Sequence, residues 1–76
     1  MDQKELEAIY GPAASDAPYK PGQTLVYDDN GSIENGEILY VAAQNEAGQP
    51  DLHYIVSPAI ATFPTPVWPS QVITAM

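Results

Sequence analysis

The chain has 76 residues with ten Asp or Glu against two Lys, a formal net charge of −8, and no cysteine. That length bounds it to one small domain, and the missing cysteine excludes disulfides and thiolate metal sites. Both lysines, Lys4 and Lys20, precede residue 21, so nothing downstream supplies the Lys and Arg contacts from which nucleic-acid binding draws its affinity. Anionic membrane surfaces are disfavoured for the same reason. The start Met1-Asp2-Gln3-Lys4-Glu5 has no basic, apolar leader pattern, and no apolar run reaches the ~20 residues of a membrane span. The expected location is cytoplasmic. A core this small usually needs a staple, and self-association is the one left open.

Residues 2–10 place Leu6, Ile9 and Tyr10 on one helical face, ended by Gly11-Pro12. Residues 11–21 are rich in Pro, Ala and Ser and read as a linker or mobile arm, with Tyr19 able to anchor it. The domain reading is therefore an N-terminal arm over 1–20 and a β domain over 21–76. The first strand is expected over Gln23–Tyr27, followed by the tight turn Asp28-Asp29-Asn30-Gly31. Asn35-Gly36 is a second turn signal, opening a strand from Glu37 to Gln44. That strand is apolar on both faces, with Ile38, Tyr40 and Ala42 against Leu39, Val41 and Ala43. Such a strand lies inside a closed barrel or forms half of an interface with another chain. Leu52–Ser57 is the third strand, ended by Pro58. The prolines Pro58, Pro64, Pro66 and Pro69 leave room only for a short or bent edge strand. A 3₁₀ turn at Pro69-Ser70-Gln71 precedes the last strand, Val72–Ala75. The expected core is Leu25, Ile38, Val41, Tyr54, Val56, Val67, Val72 and Ile73.

The order Pro21-Gly22-Gln23-Thr24-Leu25, Gly36-Glu37-Ile38, Tyr54-Ile55-Val56 and Pro69-Ser70-Gln71-Val72 resembles the Tudor- and KOW-like small barrels. The resemblance implies an all-β, five-stranded SH3-like barrel. The chain also resembles, more distantly, the plasmid-type (type II) dihydrofolate reductases, which carry a loose arm before one such barrel and work as homotetramers. Against that family's late Val-Gln-Ile-Tyr motif the chain reads Thr65-Pro66-Val67-Trp68-Pro69. Val67 holds the isoleucine slot, Trp68 the tyrosine slot and Pro66 the glutamine slot, while Tyr27 stands near the family's pore lysine. This resemblance implies NADPH as cofactor and a homo-oligomer.

Three functions are carried forward. The leading one is a non-catalytic protein-interaction module without cofactor, whose surface combines Tyr27, Asp28, Asp29, Phe63, Val67 and Trp68. The Tudor-like resemblance adds cation–π capture by loop-end aromatics, to which Asp28 and Asp29 would contribute charge; the alternative for these rings is ordinary packing. A reductase-like enzyme or small-ligand binder and an acidic mimic of nucleic acid are the other two. His53 has no readable nucleophile beside it, so no catalytic residue is assigned. Asp28, Asn30, Ser32 and Glu34 alternate as oxygen donors but lack the length of a calcium loop, so no metal site is assigned.

Overall fold

A computed structural model describes residues 2–76. The chain is mostly β. One antiparallel sheet holds β1 (Thr24–Asp29), β2 (Ser32–Gln44), β3 (Pro50–Pro58), β4 (Thr65–Val67) and β5 (Val72–Ala75), in the order β4-β3-β2-β1-β5. A short helix, α1 (Gln3–Tyr10), precedes it, and a 3₁₀ turn, Pro69–Gln71, joins the two edge strands. The sheet is not closed: among the described residues β4 and β5 are its unpaired edges.

The hairpin between β1 and β2 turns on Asn30-Gly31, both at positive φ (52° and 93°), as a two-residue loop between right-twisted strands demands. The Asp28 carboxylate accepts the Gly31 N–H at 2.7 Å and fixes the turn. Asn35-Gly36 makes no turn, contrary to its sequence signal. β2 runs through it for 13 residues, pairing Asn35 with Val26 and Gly36 with Leu25. Sheet pairing holds Asn35-Gly36 extended, and residue 33, three before the glycine, is Ile33, which offers no carboxylate to brace a turn.

β2 pairs Ile38 with Val56 but Tyr40 with Ile55, leaving Leu39 as an extra residue. Such a bulge breaks the two-residue alternation. Ile38 and Val41 therefore share one face, and Tyr40 and Ala42 the other. On the first face Leu25, Tyr27, Ile38, Val41, Tyr54, Val56, Val67 and Ala17 form the main core. On the second, Tyr40, Ala42 and Ile55 are covered by Leu6 and Tyr10 of α1. The two-faced apolar strand is thus completed by the chain's own N-terminus, with no second chain required for that face.

Two expected core residues are placed differently. Ile73 is 54% exposed and Val72 packs on the core only in part, because β5 is an edge strand whose register to β1 shifts between Val26 and Tyr27. In α1, Ile9 is 56% exposed while Leu6 is buried. Only a narrow stripe of an eight-residue helix meets the sheet, and Leu6 and Tyr10 fill it.

Residues 11–21 run beside the half of β2 that β1 does not reach. Ala14 donates its N–H to Val41 O and Ala43 donates to Pro12 O, with Ala13 bridged to Ala42. Ala17 is buried, and Tyr19 packs on Tyr54 with ring centroids 5.9 Å apart. This strap satisfies backbone groups that a bare sheet edge would leave open.

α1 is tied at both ends. Asp2 caps its start by accepting the Glu5 N–H at 2.9 Å. Its end is held by Tyr40, whose hydroxyl donates to Gly11 O at 2.7 Å. Tyr40→Phe removes that bond and keeps the ring. We expect a loss of about 1 kcal/mol in urea unfolding, with faster hydrogen exchange confined to α1. Uniform exchange across the sheet instead would show that the bond braces the whole fold.

Candidate functional site

An open cleft of about 620 Å³ lies on the helix-covered face of the sheet. Register explains its make-up. His53 pairs with Ala42 and Pro66 with Ile55, so both stand on the face that carries α1. Ile9, Tyr10 and Gly11 of the helix end form one wall, and Pro66 and Trp68 the opposite one. Asn45, Glu46 and Ala47 of the β2–β3 turn close one end. That turn is shaped by the Asn45 side-chain oxygen, which accepts the N–H groups of Ala47 (2.9 Å) and Gln49 (3.0 Å).

The aromatic wall is wired in place. The Trp68 indole N–H donates to the Asp51 carboxylate at 3.1 Å, and its backbone N–H donates to the Gln71 side-chain oxygen at 2.9 Å. The Gln71 amide in turn donates to Asp28 O at 3.1 Å, linking the 3₁₀ turn to β1. His53, 8% exposed, stacks on the indole with centroids 5.1 Å apart and planes 23° from parallel. Its Nδ1 lies 2.7 Å from Asp51 O, a distance that makes Nδ1 the donor to that carbonyl. Trp68 remains 38% exposed, although its indole N–H and its backbone N–H are both bonded. The cleft therefore combines aromatic surface from Tyr10, His53 and Trp68 with the carboxylate of Glu46, and the Asp51 carboxylate holds the indole N–H.

The surface residues expected from sequence do not gather here. Trp68 alone of the six lines the cleft. Tyr27 and Val67 are buried in the main core and offer no surface. Asp28 and Asp29 are exposed at the β1–β2 hairpin, and Phe63, 67% exposed, lies in the loop before β4. Tyr10, His53 and Glu46 were not marked as partners of Trp68; they sit 15 to 58 positions from it along the chain, and only strand pairing and helix docking join them.

Three core tyrosines have hydroxyls held protonated beyond the usual phenol range. Burial raises each one; Tyr27 is raised further by the charges of Asp29 and Glu34, and Tyr40 by Glu7. For Tyr54 burial again leads, with neighbouring Tyr19 adding to the rise and the Tyr19 backbone partly offsetting it. Among the described residues no group of three or more His, Asp or Glu is placed to hold a metal ion, and no helix is long and apolar enough to cross a membrane. No protein-family model matches the chain, and neither the curated proteins nor the solved structures contain a significant match.

Proposed function

We propose that this chain is an SH3-like small barrel acting as a non-catalytic protein-interaction module, and that it docks a basic segment of a partner protein in the Tyr10–His53–Trp68 cleft. The fold part of the reading is supported by the strand order, by a long bent β2 shared between two halves of the sheet, and by the 3₁₀ turn before the last strand. The observation that carries the functional part is Trp68. Its indole N–H is held by Asp51 and its backbone N–H by Gln71, yet the side chain is presented to solvent in an acidic setting.

Charge selects the occupant. Residues 21–76 contain six carboxylates and no Lys or Arg, so a cationic segment is attracted from a distance. A second copy, also at −8, is repelled by the same field. Indole is the strongest cation–π partner among the side chains, and Arg is its most frequent cation. The reductase-like alternative is weakened by Val67, which occupies its motif yet is buried in the main core.

The chain has one tryptophan, so its fluorescence reports on this site directly. Titration with a capped tetra-arginine peptide at low salt is expected to give a saturable change, weakened as salt screens the carboxylates. Trp68→Ala, followed by amide shifts, is expected to lower affinity roughly tenfold, and Glu46→Gln severalfold. No change at low salt, or the same change with tetra-serine, would refute the proposal.

A further inference from the structure

We infer that His53 makes the cleft pH-sensitive, admitting a cationic side chain when its imidazole is neutral and expelling it when protonated; this rests on the docking reading above. His53 is the chain's one histidine. It lines the cleft and is stacked on the indole that the cation would face. Its Nδ1 is committed to Asp51 O, so the neutral ring carries its proton there and a second proton enters at Nε2. The imidazolium then sets a fixed positive charge against the indole on which the ring is already stacked. A guanidinium or ammonium entering the same cleft meets like charge at short range in a partly dry setting, where Coulomb terms are strong.

The groups around His53 set the sign. Asp51 on its own strand and Glu46 on the β2–β3 turn are acidic, and Tyr10 faces the cleft from α1. Pro66, from β4, and Trp68, between β4 and the 3₁₀ turn, do not titrate. Asp51 is already engaged by the indole N–H, which leaves Glu46 as the cleft-lining carboxylate free to balance an incoming cation. Glu46 and His53 line the same cleft, so a bound cation and the imidazolium draw on the same local negative charge. Each cation bound displaces one proton from His53, and the coupling is reciprocal.

The test is tetra-arginine binding followed by Trp68 fluorescence at pH 8 and pH 5.5. The expected result is a loss of affinity at pH 5.5 relative to pH 8, bounded at tenfold per pH unit for one proton exchanged. His53→Gln is expected to flatten the profile over this range while leaving the carboxylate-dependent loss at lower pH. Because that variant could also disturb the stack, the reciprocal measurement uses the unaltered protein. Its imidazole titration, read by NMR, should move to lower pH in saturating peptide, by at least as many pH units as the affinity changes in decades between the two pH values. Binding at pH 8 that persists unchanged at pH 5.5, or an imidazole titration unmoved by peptide, overturns the gating. Absence of binding at pH 8 instead overturns the docking reading on which it rests.

Discussion

Gly36→Ala is expected to destabilise the fold by on the order of 3 kcal/mol, at or beyond the upper end of ordinary overpacking changes. Gly36 has no positive φ, so alanine suits its backbone; space alone is the obstacle. A Cβ there would overlap the Ser57 carbonyl oxygen and stand 2.6 Å from Val56 Cγ1 and 2.9 Å from Pro58 Cα. Two of those three atoms are backbone of the paired strand, so relief requires β3 to move away from β2. That seam joins both halves of the sheet. Total stability for a chain of this length is only about 4–11 kcal/mol, so the loss is a large share of it. Adding Val56→Ala should not restore the protein, because the carbonyl oxygen remains. Gly31→Ala is the contrast: nothing lies within 4 Å, but φ of 93° is strained for alanine, and about 1 kcal/mol is expected. Urea midpoints for the three variants check the ranking. A Gly36→Ala midpoint equal to that of the parent would mean that the strands part there without penalty.

The second large effect is unfolding at high pH. Tyr27, Tyr40 and Tyr54 are all buried, and their folded-state pKa values are raised above the ordinary 10.0. A raised value means the folded state holds its protons where the unfolded chain has released them. The associated stability is fully present below pH 10 and is lost as pH climbs through the raised values. Each proton that only the folded state retains adds at most about 1.36 kcal/mol per pH unit to the slope. We expect stability to fall as pH climbs above 10 through the raised values, with tyrosinate absorbance and loss of β-sheet circular dichroism rising together. Tyr27→Phe and Tyr54→Phe should each flatten the slope by about one third. Tyrosinate forming near pH 10 for these residues while the sheet persists would contradict their burial.

The expected core was legible where alternation is regular. Leu25, Ile38, Val41, Tyr54, Val56 and Val67 lie where the pattern puts them. It failed at Ile73 and held only in part at Val72, since edge position and a register shift are properties of the assembled sheet. The identical dipeptides Asn30-Gly31 and Asn35-Gly36 make the point sharply. The first turns because Asp28 braces it and the flanking strands can close on it; the second is pulled straight by β1 on one side and β3 on the other. The candidate site was legible only in Trp68. A bulge at Leu39 decides which residues of β2 face α1, and that choice determines what can meet the indole.

Local chemistry in the sequence determined the strand-rich composition, the Asp2-capped helix stopped by Gly11-Pro12, the Asn30-Gly31 hairpin, the proline-limited edge and the acidic field that selects a cationic occupant. Tertiary structure decided that α1 covers the second face of β2, that Tyr27 is core rather than surface, and that Tyr10, Glu46, His53 and Trp68 share one cleft. The division has a physical cause. Capping, turn dihedrals and net charge depend on neighbours in the chain or on a simple sum. Bulges, close approach of strands and helix docking depend on groups distant in sequence, whose meeting is settled only when the whole core packs.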